Sequence, residues 1–248
     1  MSGEQHGADA PPLDVVIPAL DAAAHLGATL ASLAPGRAKG LLREVVVVDG
    51  GSADDTRAIA AAGGARVLAS APGRGRQLRA GGDATKAPWL LFLHADTRLG
   101  AGWVEEAPAF IRAAPAQGGR AAVFRLRLDD TAVAARALER VVSWRTRALG
   151  LPYGDQGLLI SRSLYEEVGG FADIPLMEDV DLVRRLGRRR LTLLREEATT
   201  SPERYREAGY LRRSLMNLLI LLLYYGGVPP ERLARLYGRA PVRSRKRR

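Results

Sequence analysis

The chain has 248 residues, 47% of them apolar, and a formal net charge of +10, enough to bury one sizeable core or two small ones. It has no cysteine, which excludes disulfides, thiolate metal sites and cysteine nucleophiles, and its three histidines are too scattered for a multi-histidine zinc site. The charge does not indicate nucleic acid: five of the ten excess charges sit in Arg243, Arg245, Lys246, Arg247 and Arg248, and the few aromatics are not interleaved with basic residues as stacking surfaces require.

Residues 1–12 are polar, lack a basic-then-apolar leader pattern and predict a disordered start. LDVVIPAL (13–20) predicts a strand and AAAHLGATLASL a helix. EVVVVDGGSADDT predicts a second strand that runs into Asp49-Gly50-Gly51-Ser52 and an acidic helix start. ARVLAS is a third strand, RQLRAGGDATKA a helix, and WLLFLHAD (89–96) a fourth strand. Unbroken valine and leucine runs suit strands buried on both faces. The alternation predicts an α/β fold, a mostly parallel Rossmann-like sheet flanked by helices.

Farther on, RAAVFRLRL alternates as a half-exposed strand and TAVAARALERVVSWRTRALG has helical periodicity. GLLISRSLYEEVGGF reads as strand, helix and Gly-Gly turn, and PLMEDVDLVRRLGRRR starts an amphipathic helix at Glu178-Asp179. One domain is expected over 13–203, a helical extension over 204–240 and a basic tail over 241–248. The apolar run from Leu215 is shorter than the ~20 residues that cross a bilayer, and the expected location is the cytoplasm. The segment YLRRSLMNLLILLLYYGG and the tail suit contact with the inner face of a membrane and a lipid-linked acceptor. They equally suit a buried helix or a homodimer.

Three strands end in polar tips: Leu20-Asp21, Asp49-Gly50 and His94-Ala95-Asp96. Burying His94 or Asp96 unpartnered would be costly, whereas ligands of open parallel sheets bind at the carboxyl ends of strands. A shared, solvated crevice is therefore expected.

VVIPALDA, VVVVDGGSADDT, LLFLHAD and VGGF followed by MEDVDLVRRL, in this order, resemble the family 2 glycosyltransferases of GT-A fold over about residues 13–205. VDGGS, GDQGLLISR and IPLMEDVDL are similar to a small bacterial subgroup associated with radical-SAM or selenium-related gene neighbourhoods. The resemblance implies an inverting, metal-assisted transfer of a sugar from a nucleoside diphosphate, uridine-linked, to an acceptor hydroxyl. It implies Asp96 as the carboxylate for Mn²⁺ or Mg²⁺, with His94 in place of the family's first Asp. It also implies Asp49 as the base-recognising carboxylate, Pro18, Leu20 and Asp21 as the nucleoside loop, and Asp179 as general base oriented by Glu178.

Chemistry supports these residue types. A cation steadies the leaving diphosphate, a carboxylate takes the acceptor proton, and Gly50 and Gly51 let backbone approach a ligand. Ala95 separates the two polar residues of the tip. Ser52 and Asp54 suit ligand contact or helix capping equally. Arg74, Arg76 and Gln77, at a helix start, suit a diphosphate, or are solvated surface groups. Asp155 and Gln156 are expected to line the acceptor or donor-sugar pocket, and the family resemblance implies that Arg204 closes over the diphosphate. Two rivals remain: a non-catalytic module that binds nucleotide sugars, membranes or partners, and a sugar nucleotidyltransferase. The latter would need a Gly-rich, Lys-containing loop after the first strand, which IPALDAAAH lacks.

Overall fold

A computed structural model of the chain describes residues 13–114 and 119–238. The expected N-terminal stretch 1–12 and basic tail 241–248 lie outside the described residues. β1 (Leu13–Ala19), α1 (Ala23–Ala38), β2 (Leu42–Asp49), α2 (Thr56–Ala62), β3 (Arg66–Ala69), α3 (Arg74–Ala84) and β4 (Trp89–Phe92) follow in strict alternation. Then come β5 (Thr97–Leu99), α4 (Trp103–Ala113), β6 (Ala121–Leu128), α5 (Val133–Leu149), β7 (Leu158–Ser161), α6 (Arg162–Glu167) and α7 (Glu178–Leu186). The chain closes with β8 (Leu191–Thr200), α8 (Glu203–Ala208), α9 (Tyr210–Tyr225) and α10 (Pro230–Gly238).

The eight strands form one sheet in the order β3-β2-β1-β4-β7-β6-β8-β5. β3, β2, β1 and β4 are mutually parallel, β7 runs antiparallel to β4 and to β6, and β8 is parallel to β6. This is the α/β, mostly parallel sheet expected. Alternation along β1 divides the core. Leu13, Val15 and Ile17 face α1 and α4, with Leu26, Leu33 and Trp103, while Val16 faces α3, α6 and α7 with Leu78, Leu164 and Leu182. α3 lies so close to the sheet that a side chain at Gly81 would come within 2.2 Å of Val16 Cγ1.

At the amino end of the strands the buried Asp14 holds three segments together. It accepts both Nε–H and Nη2–H of Arg43 (3.0 and 2.8 Å) and the backbone N–H groups of Lys86 (2.9 Å) and Ala87 (2.7 Å). Burial alone would raise its pKa, but these donors hold it below the usual carboxylate value.

One feature differs from the expected strand over 89–96, and two others shape the surroundings of the site. The fourth strand leaves the ladder at Phe92, and His94-Ala95-Asp96 is a turn, closed by Thr97 N–H to the His94 carbonyl (3.2 Å), into β5. β8 pairs with β6 and β5 although its centre reads Arg-Glu-Glu, because only its Leu194, Ala198 and Thr200 are buried. The segment expected as a helical extension is built into the body: Ile220, Leu221 and Leu233 pack on Met177 and Val180 of the α7 region.

Candidate active site

Parallel pairing brings the carboxyl ends of β1, β2 and β4 to one edge of the sheet, so the expected strand tips share a neighbourhood. The loops after β1 and β2 spend their polar groups on each other. Asp21 N–H donates to Ser52 Oγ (2.9 Å) and Asp21 Oδ1 accepts Ala53 N–H (2.9 Å). Asp54 accepts Ala23 N–H (3.0 Å) and Thr56 N–H (3.0 Å). Asp49, buried, accepts the Gly51 and Ser52 amides at 3.2 Å and has Arg57 3.7 Å away. Asp21 takes a positive φ of 48°, which this two-loop clasp stabilises.

Beside this edge opens a cleft whose walls come from seven separate segments. Six expected residues line it: Arg74, His94, Asp96, Asp155, Asp179 and Arg204. Met177, at φ 68°, turns the chain so that α7 begins with its amino end toward the cleft. Asp179 Oδ2 accepts Gly154 N–H at 2.7 Å, and Oδ1 accepts Val180 N–H at 2.8 Å. Gly154 is where two groups meet: a Cβ there would lie 2.6 Å from His94 Nε2 and 3.4 Å from Asp179 Oδ2. A side chain there would crowd the imidazole and leave the carboxylate at ordinary contact.

Electrostatics distinguishes these groups. Burial, with Arg74 next and Asp96 opposing, pushes the His94 imidazole down to about 3, so it is neutral. Burial pushes the Asp155 carboxyl up to about 6 against the pull of Arg145, and its Oδ1 has no hydrogen-bond partner among the described residues. At the β4 end, Asp96 and neutral His94 carry the side-chain donor types that could hold a cation. Among the described residues no three His, Asp or Glu side chains gather to hold an ion. One carboxylate and one imidazole would supply only part of the shell of a Mn²⁺ or Mg²⁺ ion held there.

Other expected residues do not reach the cleft. Glu178 is buried behind it in an ion pair with Arg74, facing a narrow apolar cavity. Gln77 donates from the core to the Ala19 and Val48 carbonyls, both at 2.8 Å, locking β1 to β2. Gln156 is likewise internal, bonded to Thr146 Oγ1 and the Phe124 carbonyl. Arg76 pairs with Asp173 on the surface. The Ala95 carbonyl accepts Thr29 Oγ1–H at 2.8 Å. Pro18 is buried within β1, Leu20 is exposed beside it, and a Cβ at Gly50 would meet the Gln77 amide at 3.1 Å. Of this set, Ser52, Asp54, Gln77, Gln156 and Glu178 serve internal bonds instead of the cleft.

The sequence reading missed Tyr153, Tyr205, Arg213, Asn217 and Tyr237, which complete the cleft. Arg213 donates to Tyr237 Oη, which donates to Asn217 Oδ1 at 3.0 Å. Arg145 lies over the Tyr153 ring, 3.6 Å from its centroid. One signal was available: Asn217 interrupts a long apolar run, four residues after Arg213 and on the same helix face.

The family described as Glycosyl transferase family 2 matches residues 14–151. A glucosyl-3-phosphoglycerate synthase of Mycolicibacterium paratuberculosis is 34% identical over 93 residues, covering 34% of this chain and 28% of that protein. Among solved structures, the Mycobacterium tuberculosis glucosyl-3-phosphoglycerate synthase with Mn²⁺, uridine diphosphate and phosphoglyceric acid superimposes at TM-score 0.58. It is 23% identical, with 88% of this chain and 80% of that one covered. Its complex with Mg²⁺ and uridine diphosphate gives 0.57, at 23% identity and the same coverage. These structures share the fold.

Proposed function

The chain belongs to glycosyl transferase family 2, and from that premise we propose that it moves a sugar from a uridine-diphosphate donor to an acceptor hydroxyl, with inversion. The observation that carries this reading is the convergence of Asp96, Asp179, Arg74 and Arg204 in one cleft from four distant segments. Asp96 and His94 would hold a Mn²⁺ or Mg²⁺ ion, which when bound stabilises negative charge on the leaving diphosphate. Arg204 and Arg74 add fixed positive charge at the same end of the cleft. Asp21, Asp49 and Gly51 lie on the adjoining sheet edge, where the nucleoside would rest.

The acceptor hydroxyl attacks the anomeric carbon as the bond from that carbon to the diphosphate oxygen breaks. The bonding electron pair leaves with the diphosphate, and the hydroxyl proton passes to the Asp179 carboxylate. The Gly154 and Val180 amides aim that carboxylate into the cleft. Arg213, Asn217 and Tyr237 form the far wall and suit a small, negatively charged acceptor. The phosphoglyceric acid bound by the solved relative is of this class. Nothing comparable speaks for a lipid-linked acceptor, and among the described residues no helix is long and apolar enough to cross a membrane.

A second reading gives the base role to Asp155, whose raised proton affinity and unpartnered Oδ1 suit proton transfer near neutral pH. Substitution separates the two. Asp179→Asn should retain calorimetric affinity for uridine diphosphate with Mn²⁺ while transfer falls by about 10³-fold or more. Near-normal transfer in Asp179→Asn, with loss in Asp155→Asn, would move the role to Asp155.

A further inference from the structure

α9 has two faces of different character. Arg213 and Asn217 turn into the cleft, and Ile220 and Leu221 pack on α7 and α10. A surface helix ordinarily has one apolar face, turned inward. The outward side of α9 nevertheless carries Leu211, Leu215, Leu218, Leu222 and Tyr225, all between 46% and 74% exposed. Their spacing is four, three, four, three, the alternation of first and fourth heptad positions that forms the seam of a coiled coil. Leu219 flanks it, also exposed, and no charged residue follows Arg213 within the helix.

Residues 1–12, 115–118 and 239–248 hold few apolar side chains that could cover this seam. Residues 239–248, RAPVRSRKRR, offer Val242 as their single large aliphatic side chain, and residues 1–12 offer Met1. The stripe with Leu219 presents roughly 600 Å² per copy, at the upper end of the ~300–600 Å² that the largest apolar patch of a monomer reaches and that is often functional. Two facing stripes would bury on the order of 1,200 Å², the lower end of specific interfaces.

We infer that α9 pairs with α9 of a second copy of this chain about a two-fold axis at Leu218. The same stripe on both copies makes the contact self-complementary and closed. Charge sets the direction. Parallel helices would set the exposed Arg212 against its own copy, whereas antiparallel helices keep the two Arg212 side chains roughly 20 Å apart at opposite ends of the seam. Because the inner face of the same helix holds Arg213 and Asn217, the pairing also braces one wall of the cleft.

Light scattering on the full chain should give twice the 26.7 kDa chain mass at micromolar concentration. Leu218→Glu places two carboxylates at the axis and should give the single-chain mass with an unchanged circular dichroism spectrum. Since the chain has no cysteine, oxidative cross-linking reads the geometry cleanly. Leu218→Cys should cross-link to itself, Leu211→Cys should not, and Leu211→Cys mixed with Tyr225→Cys should. A monomeric wild type, a folded dimeric Leu218→Glu, or self-cross-linking through Leu211→Cys would overturn the inference. So would a wild-type monomer that sediments with phosphatidylglycerol vesicles, which would reassign the stripe to a membrane surface.

Discussion

Replacing Gly154 by alanine tests whether His94 and the turn beneath it belong to the reacting site. Gly154 opens a short 3-10 turn, Gly154–Gln156, a conformation that alanine tolerates. The added methyl would sit 2.6 Å from His94 Nε2 and 3.1 Å from its Cε1, but at an ordinary 3.4 Å from Asp179 Oδ2. The imidazole must therefore retreat by roughly 0.8 Å to restore normal contact, while the Asp179 carboxylate stays in place. Overpacking of this kind costs about 1 kcal/mol, offset in part by the lower chain entropy of alanine in the unfolded state. The melting temperature should thus move by no more than about 4 °C. Displacing a positioning group by ~1 Å costs on the order of 10²-fold in rate, or about 2.7 kcal/mol of barrier. Steady-state turnover of a uridine-diphosphate sugar, with calorimetric titration of uridine diphosphate and Mn²⁺, reads this directly. Wild-type turnover and affinity in a well-folded Gly154→Ala would refute the placement of His94 in the site.

Asp96→Asn should abolish the Mn²⁺-dependent part of uridine diphosphate binding, because the β4 end keeps no other carboxylate; titrations with and without the ion check it. Asp14→Asn should lower stability at pH 7 by about 3 kcal/mol, since it breaks a buried hydrogen-bonded ion pair whose Arg43 remains partly solvated. Its pKa is lowered in the folded protein. The stabilisation is therefore complete above the unfolded value of 3.8 and is lost as pH falls through the folded value. Urea denaturation at pH 7 and pH 3 should show the gap between wild type and variant closing on the acid side; a gap independent of pH would contradict the assignment.

Much of the parallel half was legible in the chain because its signals are local. Val45–Val48 and Leu90–Leu93 are runs that only a strand covered on both faces can bury, and each ends in residues that bend the chain. β5 and β8 were not legible. Three residues carry no periodicity, and the Arg-Glu-Glu centre of β8 is tolerated because its solvent side is open. Site residues followed the same rule. Arg74, His94, Asp96 and Asp179 stand out as polar groups placed at element ends, where a chain rarely leaves charge without cause. Gln77, Gln156 and Glu178 look identical in sequence, yet their hydrogen-bond partners lie from 10 to 104 residues away in the chain, so folding alone assigns them to internal bonds. Arg213, Asn217 and Tyr237 enter the cleft only because α9 and α10 pack back on α7 through Ile220, Leu221 and Leu233. Local patterning thus announces strands, turns and exposed charge. Which charges face each other across a cleft is decided by how the layers close, since that depends on contacts no short stretch of chain contains.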